Sequence, residues 1–350
     1  MAGSVATTPQ PAGPGAGPAA SVQPQEWRRP HRHTYGAVDL GTNNCRLLIA
    51  RPTDEGFTVV DAFSRIVRLG EGLTQSGKLT SGAMDRAVSA LAVCADKLRR
   101  RHVSLSRSVA TEACRRAVNG RHFLERVRRE TGIALEIISP QEEARLAVLG
   151  CHKLLEPGDG PALIFDIGGG STELVLVEPG ENTPRIRAWW SAPWGVVSLT
   201  ESEGRAAIEG DDRLAAYDRM RQRARESFSR FAEMLPSTSP DIRLLGTSGT
   251  VTTLASVHLA LPSYDRRAVD GLHVPIGDMR RISTMIAEMD FGGRSSLPCI
   301  GTERADLVVA GCAILEAILD IWPAERLGVA DRGIREGILR SLMARDGYKL

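Results

Sequence analysis

Two aspartates stand where an otherwise apolar chain has no packing use for them. The stretch "LIFDIGGGSTELVLV" (163–177) sets Asp166 and the triplet Gly168, Gly169 and Gly170 inside a run of strand-forming residues. Glycine is depleted in strands because it packs nothing and costs backbone entropy. The triplet marks either a tight hairpin turn or a point where backbone must come close to another group. "YGAVDLGTNNCRLLIA" (35–50) repeats the pattern: Asp39 matches Asp166, Gly41 matches Gly168, and an alternating apolar strand follows each loop. A third loop, "GTSGT" (246–250), again puts small residues at a strand end and leads into a helix. Such loops can turn backbone N–H groups and hydroxyls toward one point, a nest for an anion. The first amides of a following helix add to it. Three loops, two of them carrying an aspartate, point to phosphate held with a divalent cation, since Mg²⁺ takes a few carboxylate oxygens and the substrate's own phosphates.

A glutamate pair follows from different reasoning. In "ISPQEEARLAVLG" (138–150), Ser139 suits an N-cap, Pro140 the first helical position, and Glu142 the third. Glu142 then completes a capping box by closing back on the backbone of Ser139. Glu143 lies about 100° further round the helix. It is either one more acid favoured by the helix dipole or a carboxylate free for chemistry at the end of a strand, where sites in open α/β sheets gather.

The elements that must position these residues alternate. A helix spaced by Met84, Ala87, Val88, Leu91, Ala95 and Leu98 precedes a strand at "SRSVAT", a helix at "FLERVRRE" and a strand at "LEIIS" (135–139). Later come a strand and helix across 242–260, a helix across "ERADLVVAGCAILEAILDIW", a strand at "RLGVAD" and a terminal helix at "GIREGILRSLMA". The class is α/β, and the paired hairpins predict a duplicated architecture. Residues 1–33 are rich in Pro, Ala, Gly and Ser, lack the apolar core of a signal peptide, and read as a disordered tail. The chain has 350 residues, 42% apolar and 25% charged, with a formal net charge of +2. That balance gives no reason to expect nucleic-acid or membrane binding. Lysine occurs only at Lys78, Lys97, Lys153 and Lys349, so the basic residues are nearly all arginine, which suits phosphate; codon bias accounts for the excess equally well. Six scattered cysteines read as reduced thiols, and no segment is long and apolar enough to span a bilayer, so a cytoplasmic protein is expected.

In order along the chain, "AVDLGTNNCRLLIA", "EIISPQEEARLAVLG", "FDIGGGSTELVLVE", "GTSGTVTTLA" and "VADRGIREGIL" resemble the motifs of the exopolyphosphatase/guanosine pentaphosphate phosphohydrolase family, a branch of the actin, sugar-kinase and heat-shock ATPase superfamily. The resemblance runs from about residue 35 to 342. It implies two ribonuclease-H-like (actin-like ATPase) domains, expected at 34–147 and 148–350, with a cleft between them and a terminal helix free to pack back on the first domain. It implies Mg²⁺-dependent (or Mn²⁺-dependent) release of terminal orthophosphate from inorganic polyphosphate. The alternatives are a guanosine pentaphosphate 5′-phosphohydrolase or, in another class, a nucleotide sensor without turnover. Carried over by position, Glu143 matches the general base, Asp166 and Glu173 the carboxylates that organise metal and water, and Asp39 the first phosphate motif and a further metal contact. Arg115 in "ATEACRRA" matches an arginine that faces substrate, with Arg116 next to it. Phosphate-binding amides and hydroxyls would come from Gly41, Thr42, Asn43, Gly168, Gly169, Gly170, Ser171, Gly246, Ser248 and Gly249. Asn44 and Cys45 depart from the serine and aromatic frequent there. The chain ends where longer relatives continue into further helical domains, so it matches the short form, and a homodimer is one way to extend its groove.

Overall fold

The computed structural model describes residues 33–180, 183–234 and 242–348; the expected tail lies outside them, apart from His33. The first half opens with strands β1 (Tyr35–Leu40), β2 (Asn44–Thr53) and β3 (Gly56–Ile66). Next come helices α1 (Leu73–Ser76) and α2 (Ser81–Arg100), strand β4 (Leu105–Ala110), helices α3 (Glu112–Arg116) and α4 (Gly120–Thr131), and strand β5 (Glu136–Ile137). Helix α5 (Pro140–Cys151) and a single 3₁₀ turn at His152–Leu154 lead on to the second half. That half has strands β6 (Ala162–Ile167), β7 (Thr172–Glu178) and β8 (Arg185–Ala192). Helices α6 (Val196–Glu203), α7 (Arg205–Glu209) and α8 (Arg213–Met234) precede strand β9 (Arg243–Thr247) and helices α9 (Gly249–His258) and α10 (Arg266–Val269). The chain closes with β10 (His273–Pro275), α11 (Ile276–Glu288), α12 (Phe291–Ser296), α13 (Val308–Ile321), β11 (Arg326–Ala330) and α14 (Ile334–Arg345).

The two sheets repeat one plan. The first has the order β3-β2-β1-β4-β5, and the second β8-β7-β6-β9-β11 with β10 added outside. Within each, the first two pairings are antiparallel and the next two parallel. The hairpins share one register: Leu40 faces Cys45 and Ile167 faces Thr172, so Asp39 faces Arg46 and Asp166 faces Glu173. The central strands β1 and β6 are buried on both faces and read as continuous apolar runs, as parallel neighbours require. β3, at an edge, is half-buried or exposed along all but its first residue.

Several expected elements are shorter than the sequence suggested. The strand across 135–139 shrinks to Glu136–Ile137, because β4 ends at Ala110, whose carbonyl takes the last pairing bond from the Ile138 N–H, and Ser139 begins the cap of α5. The helix drawn from Glu303 starts at Val308, after turns through 302–307. The expected boundary at 147/148 falls within α5. That helix serves both halves: Leu146 packs with Tyr35 and Val109 of the first sheet, while Ala144, Val148 and Cys151 pack with Ile164 and Val175 of the second. Helix α14 follows the last strand of the second sheet yet packs through Ile338, Leu339 and Met343 against β1 and β2.

These two helices cross with no room for side chains. A Cβ on Gly337 would lie 2.0 Å from the Leu146 carbonyl oxygen, and one on Gly150 would lie 2.0 Å from that of Gly333. Gly337→Ala is therefore expected to force α5 and α14 apart and to cost about 1–3 kcal/mol, the range for overpacking a close contact. Gly82→Ala in α2, whose Cβ would meet nothing nearer than 3.7 Å, should be neutral or stabilising by up to about 0.5 kcal/mol. Urea unfolding of both variants checks the contrast.

Candidate active site

The strand-end loops of both sheets open on one cavity of about 140 Å³. Asp39, Gly41, Thr42 and Asn43 line it from the first hairpin, and Asp166, Gly168, Gly169, Gly170, Ser171 and Glu173 from the second. Glu143 reaches it from α5, and Ser248 and Gly249 from the start of α9. Thirteen residues singled out from sequence thus meet around one space.

The glycine triplet is explained by proximity. None of its residues has a positive φ, so the turn itself does not demand glycine. A Cβ on Gly169 would stand 2.9 Å from the Thr42 Cβ and 3.1 Å from the Asn43 nitrogen, and one on Gly170 would stand 2.8 Å from the Thr42 Oγ1. The two hairpin loops touch, and glycine is what lets them. The loops also bond alike internally. Gly41 N–H donates to the Asn44 carbonyl and Gly168 N–H to that of Ser171, each at 2.9 Å. Those two amides hold the turns and are not available to a ligand, which narrows the role expected of Gly41 and Gly168. The amides of Thr42, Asn43, Gly169, Gly170 and Ser171 make no backbone hydrogen bond among the described residues and are free to receive an anion.

The carboxylates are anchored from behind. Glu173 Oε1 accepts from Ser171 Oγ at 2.8 Å and Ser191 Oγ at 2.9 Å. Arg115 donates Nη1 to Glu143 Oε2 at 3.1 Å and to the Ile138 carbonyl at 2.8 Å. Its Nε and Nη2 both go to Glu112 Oε2, at 3.0 and 2.5 Å. Arg115 therefore stands behind Glu143 and is not among the residues lining the cavity, while Arg116 reaches Glu112, at 3.9 Å. Burial raises the pKa of Glu143 well above the usual carboxylate range; Glu173 adds to the rise, and Arg115 offsets only part of it. Burial, then Glu173, pushes Asp166 up to about 8. Asp39 and Glu173 are also raised, first by burial.

Two expectations need correction. Gly246 does not line the cavity: the place of its Cβ is filled by the Phe165 ring and Val251, so it serves packing. Glu142 makes half a capping box. Ser139 Oγ accepts its N–H at 3.2 Å, but its side chain turns to Arg107 and Arg145, each at 2.7 Å, because charged partners outcompete a backbone amide. Other lining residues went unnoticed: Arg46, Thr111, Glu112, Thr250, Thr253 and Arg304. For Arg46 the signal was present, since hairpin register sets it opposite Asp39. Glu112 and Thr111 sat in plain view beside Arg115.

The donor set fits a divalent cation completed by its ligand. No cluster of three or more His, Cys, Asp or Glu among the described residues is arranged to hold a metal alone. Asp39 Oδ1 is buried with no hydrogen-bond partner, and Asp166 shares the cavity with it. One or two carboxylates plus phosphate oxygens is the usual way Mg²⁺ is bound.

Comparison with known proteins agrees with this architecture. Residues 48–346 match the Ppx/GppA phosphatase family, and the chain belongs to it. It is 31% identical over 322 residues to exopolyphosphatase 2 of Mycobacterium tuberculosis, spanning 87% of this chain and 97% of that protein. It is 28% identical to a guanosine-5′-triphosphate,3′-diphosphate pyrophosphatase of Vibrio vulnificus, spanning 89% of this chain and 59% of that one. The crystal structure of the Aquifex aeolicus family member superposes with a TM-score of 0.73 at 28% identity, covering 91% of this chain and 99% of that one. The paired-sheet α/β fold is accordingly the two-domain actin-like ATPase fold of these proteins. No helix among the described residues is long and apolar enough to cross a membrane.

The buried acids make a prediction about stability. A carboxyl whose folded pKa is raised binds its proton more tightly folded than unfolded. Its stabilising share is complete below the unfolded pKa and is lost as pH rises through the folded one. For Asp166 that window runs from the ordinary value near 3.8 to about 8. In excess chelator, the melting temperature should fall between pH 5 and pH 9, and Asp166→Asn should flatten the fall. An unchanged slope in Asp166→Asn would refute the assignment of this charge burial.

Proposed function

We propose that this member of the Ppx/GppA phosphatase family is a phosphoanhydride hydrolase that releases terminal orthophosphate from inorganic polyphosphate, with Glu143 as general base. The observation that carries the proposal is the Glu143 carboxylate, held by Arg115 at the wall of a cavity floored by free loop amides. A sensor needs the amides but has no use for a buried carboxylate of raised proton affinity, whereas a base working near neutral pH does.

The terminal phosphate would lie on the amides of Thr42, Asn43, Gly169, Gly170 and Ser171, with α9 adding its first N–H groups. Arg115 fixes one oxygen of Glu143 and leaves the carboxylate facing the cavity. A water on that side gives its proton to Glu143 as its oxygen attacks phosphorus in line. The P–O bond to the shortened chain breaks, and that chain leaves with the bridging oxygen. Glu173, fixed by Ser171 and Ser191, orients the water. Asp39 and Asp166 would hold Mg²⁺ or Mn²⁺, which when bound neutralises charge on the phosphate oxygens. The ranking of substrates follows the relatives: the exopolyphosphatase is spanned almost end to end, the guanosine pyrophosphatase over 59% of its length. Hydrolysis of guanosine pentaphosphate is the second reading, favoured by that same Vibrio vulnificus relative.

Glu143→Gln should preserve folding and substrate binding while lowering turnover by ~10²–10⁴-fold, the usual share of a general base. Glu142→Gln should lose little rate and, because its ion pairs are partly exposed, under about 1 kcal/mol of stability. Equal losses of rate in both variants would refute the division between them. Phosphate release from tripolyphosphate, long polyphosphate and guanosine pentaphosphate, with and without EDTA, ranks the substrates. Full activity in excess EDTA would overturn the cation's part.

A further inference from the structure

The carbonyls of the glycine triplet are all taken by one helix. At the start of α6, the Val196 N–H donates to the Gly168 carbonyl at 2.9 Å and the Val197 N–H to that of Gly169 at 2.7 Å. The Ser198 N–H also reaches the Gly169 carbonyl, at 3.3 Å, and its Oγ donates to the Gly170 carbonyl at 3.1 Å. That buried Oγ accepts the Gly195 N–H at 2.9 Å, which ties the residue before the helix to the same point. A Cβ on Gly195 would lie 2.5 Å from the Gly169 carbonyl carbon, so helix and loop meet backbone to backbone.

The first N–H groups of a helix have no partner within it, and here they are spent on the loop. In a trans peptide the N–H points opposite to the C=O. Drawing the carbonyls of Gly168, Gly169 and Gly170 onto α6 therefore turns the N–H groups of Gly169, Gly170 and Ser171 away from it. Those are the loop amides without a backbone partner, on residues that line the cavity. The first loop is backed in a similar way. The Thr42 carbonyl accepts the Gly70 N–H at 2.9 Å, and the Asn43 carbonyl accepts those of Val67 at 2.8 Å and Arg68 at 3.0 Å. The two backings are joined to each other. Glu201, one turn along α6 from Ser198, accepts the Gly72 N–H on its Oε1 at 2.7 Å.

We propose that Ser198 and Glu201 are positioning residues of the phosphate site. Ser198 fixes the peptide planes of the glycine triplet through the Gly170 carbonyl and the start of α6. Glu201 holds that helix to the segment behind the first loop, so the amides of both loops keep the spacing of one phosphate. Neither side chain lines the cavity, and each acts through the backbone it holds. Donors fixed in advance bind an anion without the cost of ordering them at that moment.

The inference rests on the reading of the cavity as a phosphate site, and its binding test requires no hydrolysis. Equilibrium dialysis with orthophosphate in the presence of Mg²⁺ compares wild type with Ser198→Ala and Glu201→Ala, each first shown to be folded by urea unfolding. Both alanine variants should raise the orthophosphate Kd about tenfold, the scale of one lost hydrogen bond. Ser198→Thr keeps the hydroxyl and Glu201→Gln keeps an acceptor oxygen, so each should recover most of the affinity its alanine counterpart loses. For tripolyphosphate, KM should rise by a similar factor in the alanine variants with kcat changed less, the pattern of lost uniform binding. A role in packing alone would shift the urea midpoint and leave Kd and KM of the folded variants where they were. An unchanged Kd in a folded alanine variant would overturn the role of that residue, as would a loss that the conservative variant fails to recover. Absence of orthophosphate binding in wild type would overturn the whole inference. The predicted order of Kd values in a chain that releases no phosphate from any polyphosphate would sink the hydrolase reading and leave the positioning role standing.

Discussion

The structure depends on backbone meeting backbone at the cleft. Gly150 and Gly337 let α5 and α14 cross at carbonyl contact, and Gly169 and Gly170 let the second hairpin loop touch the first. Both contacts lie between segments far apart in sequence, and both are needed for one cavity to exist. The helix crossing decides where α5 runs and hence where Glu143 faces. The loop contact brings two sets of free amides, from two different sheets, to a single point. A methyl group at either place would separate walls that must be close enough to grip one phosphate.

On this frame sits an electrostatic imbalance. Asp39, Glu143, Asp166 and Glu173 share the cavity with Arg46 while Arg115 stands behind Glu143, and burial raises the proton affinity of all four carboxyls. Buried charge is tolerated only when paired or hydrogen-bonded, and the serines and arginines behind these acids cover part of the cost. The remainder is what a cation and a bound phosphate would answer. Free amides on one side and carboxylates only partly compensated on the other suit, on the proposed function, an anion that arrives with its metal.

What the sequence made legible was local. Asp-x-Gly followed by an alternating strand names a hairpin, and its recurrence at 39 and 166 correctly foretells two sheets built on one plan. The cap at Ser139 and Pro140 is likewise written in consecutive residues and places the start of α5. Relations across the fold were not legible. Glu142 was assigned to its own backbone because Arg107, thirty-five residues away in sequence, could not be seen beside it. Gly246 resembled its neighbours in a loop of small residues, but Phe165 takes the space next to it. The glycine triplet was read as room for a ligand, and much of that room is occupied by the opposite loop. Glu112 was passed over because a residue at a helix start looks like ordinary first-turn acid.

The composition of the cavity wall bears on selectivity. Its lining is made of loop glycines, hydroxyls, amides, carboxylates, two arginines and a few aliphatic side chains, and contains no aromatic ring. Recognition of a base ordinarily draws on stacking against aromatic side chains or arginine planes, whereas recognition of phosphate draws on amides, helix N-termini and cations. On the proposed function, a wall of this kind reads the end of a phosphate chain through its amides, and Arg46 and Arg304 are the lining groups with a plane that a base would stack on. Preference between an inorganic polymer and a nucleotide would then rest on those arginines and on groups that meet the remainder of the substrate. Arg304, which lines the cavity and donates to Thr253 at 3.1 Å, marks one edge from which such contacts can begin. Chemistry at the terminal phosphate and choice of substrate are therefore separable properties of this fold, carried by different residues and open to change one without the other.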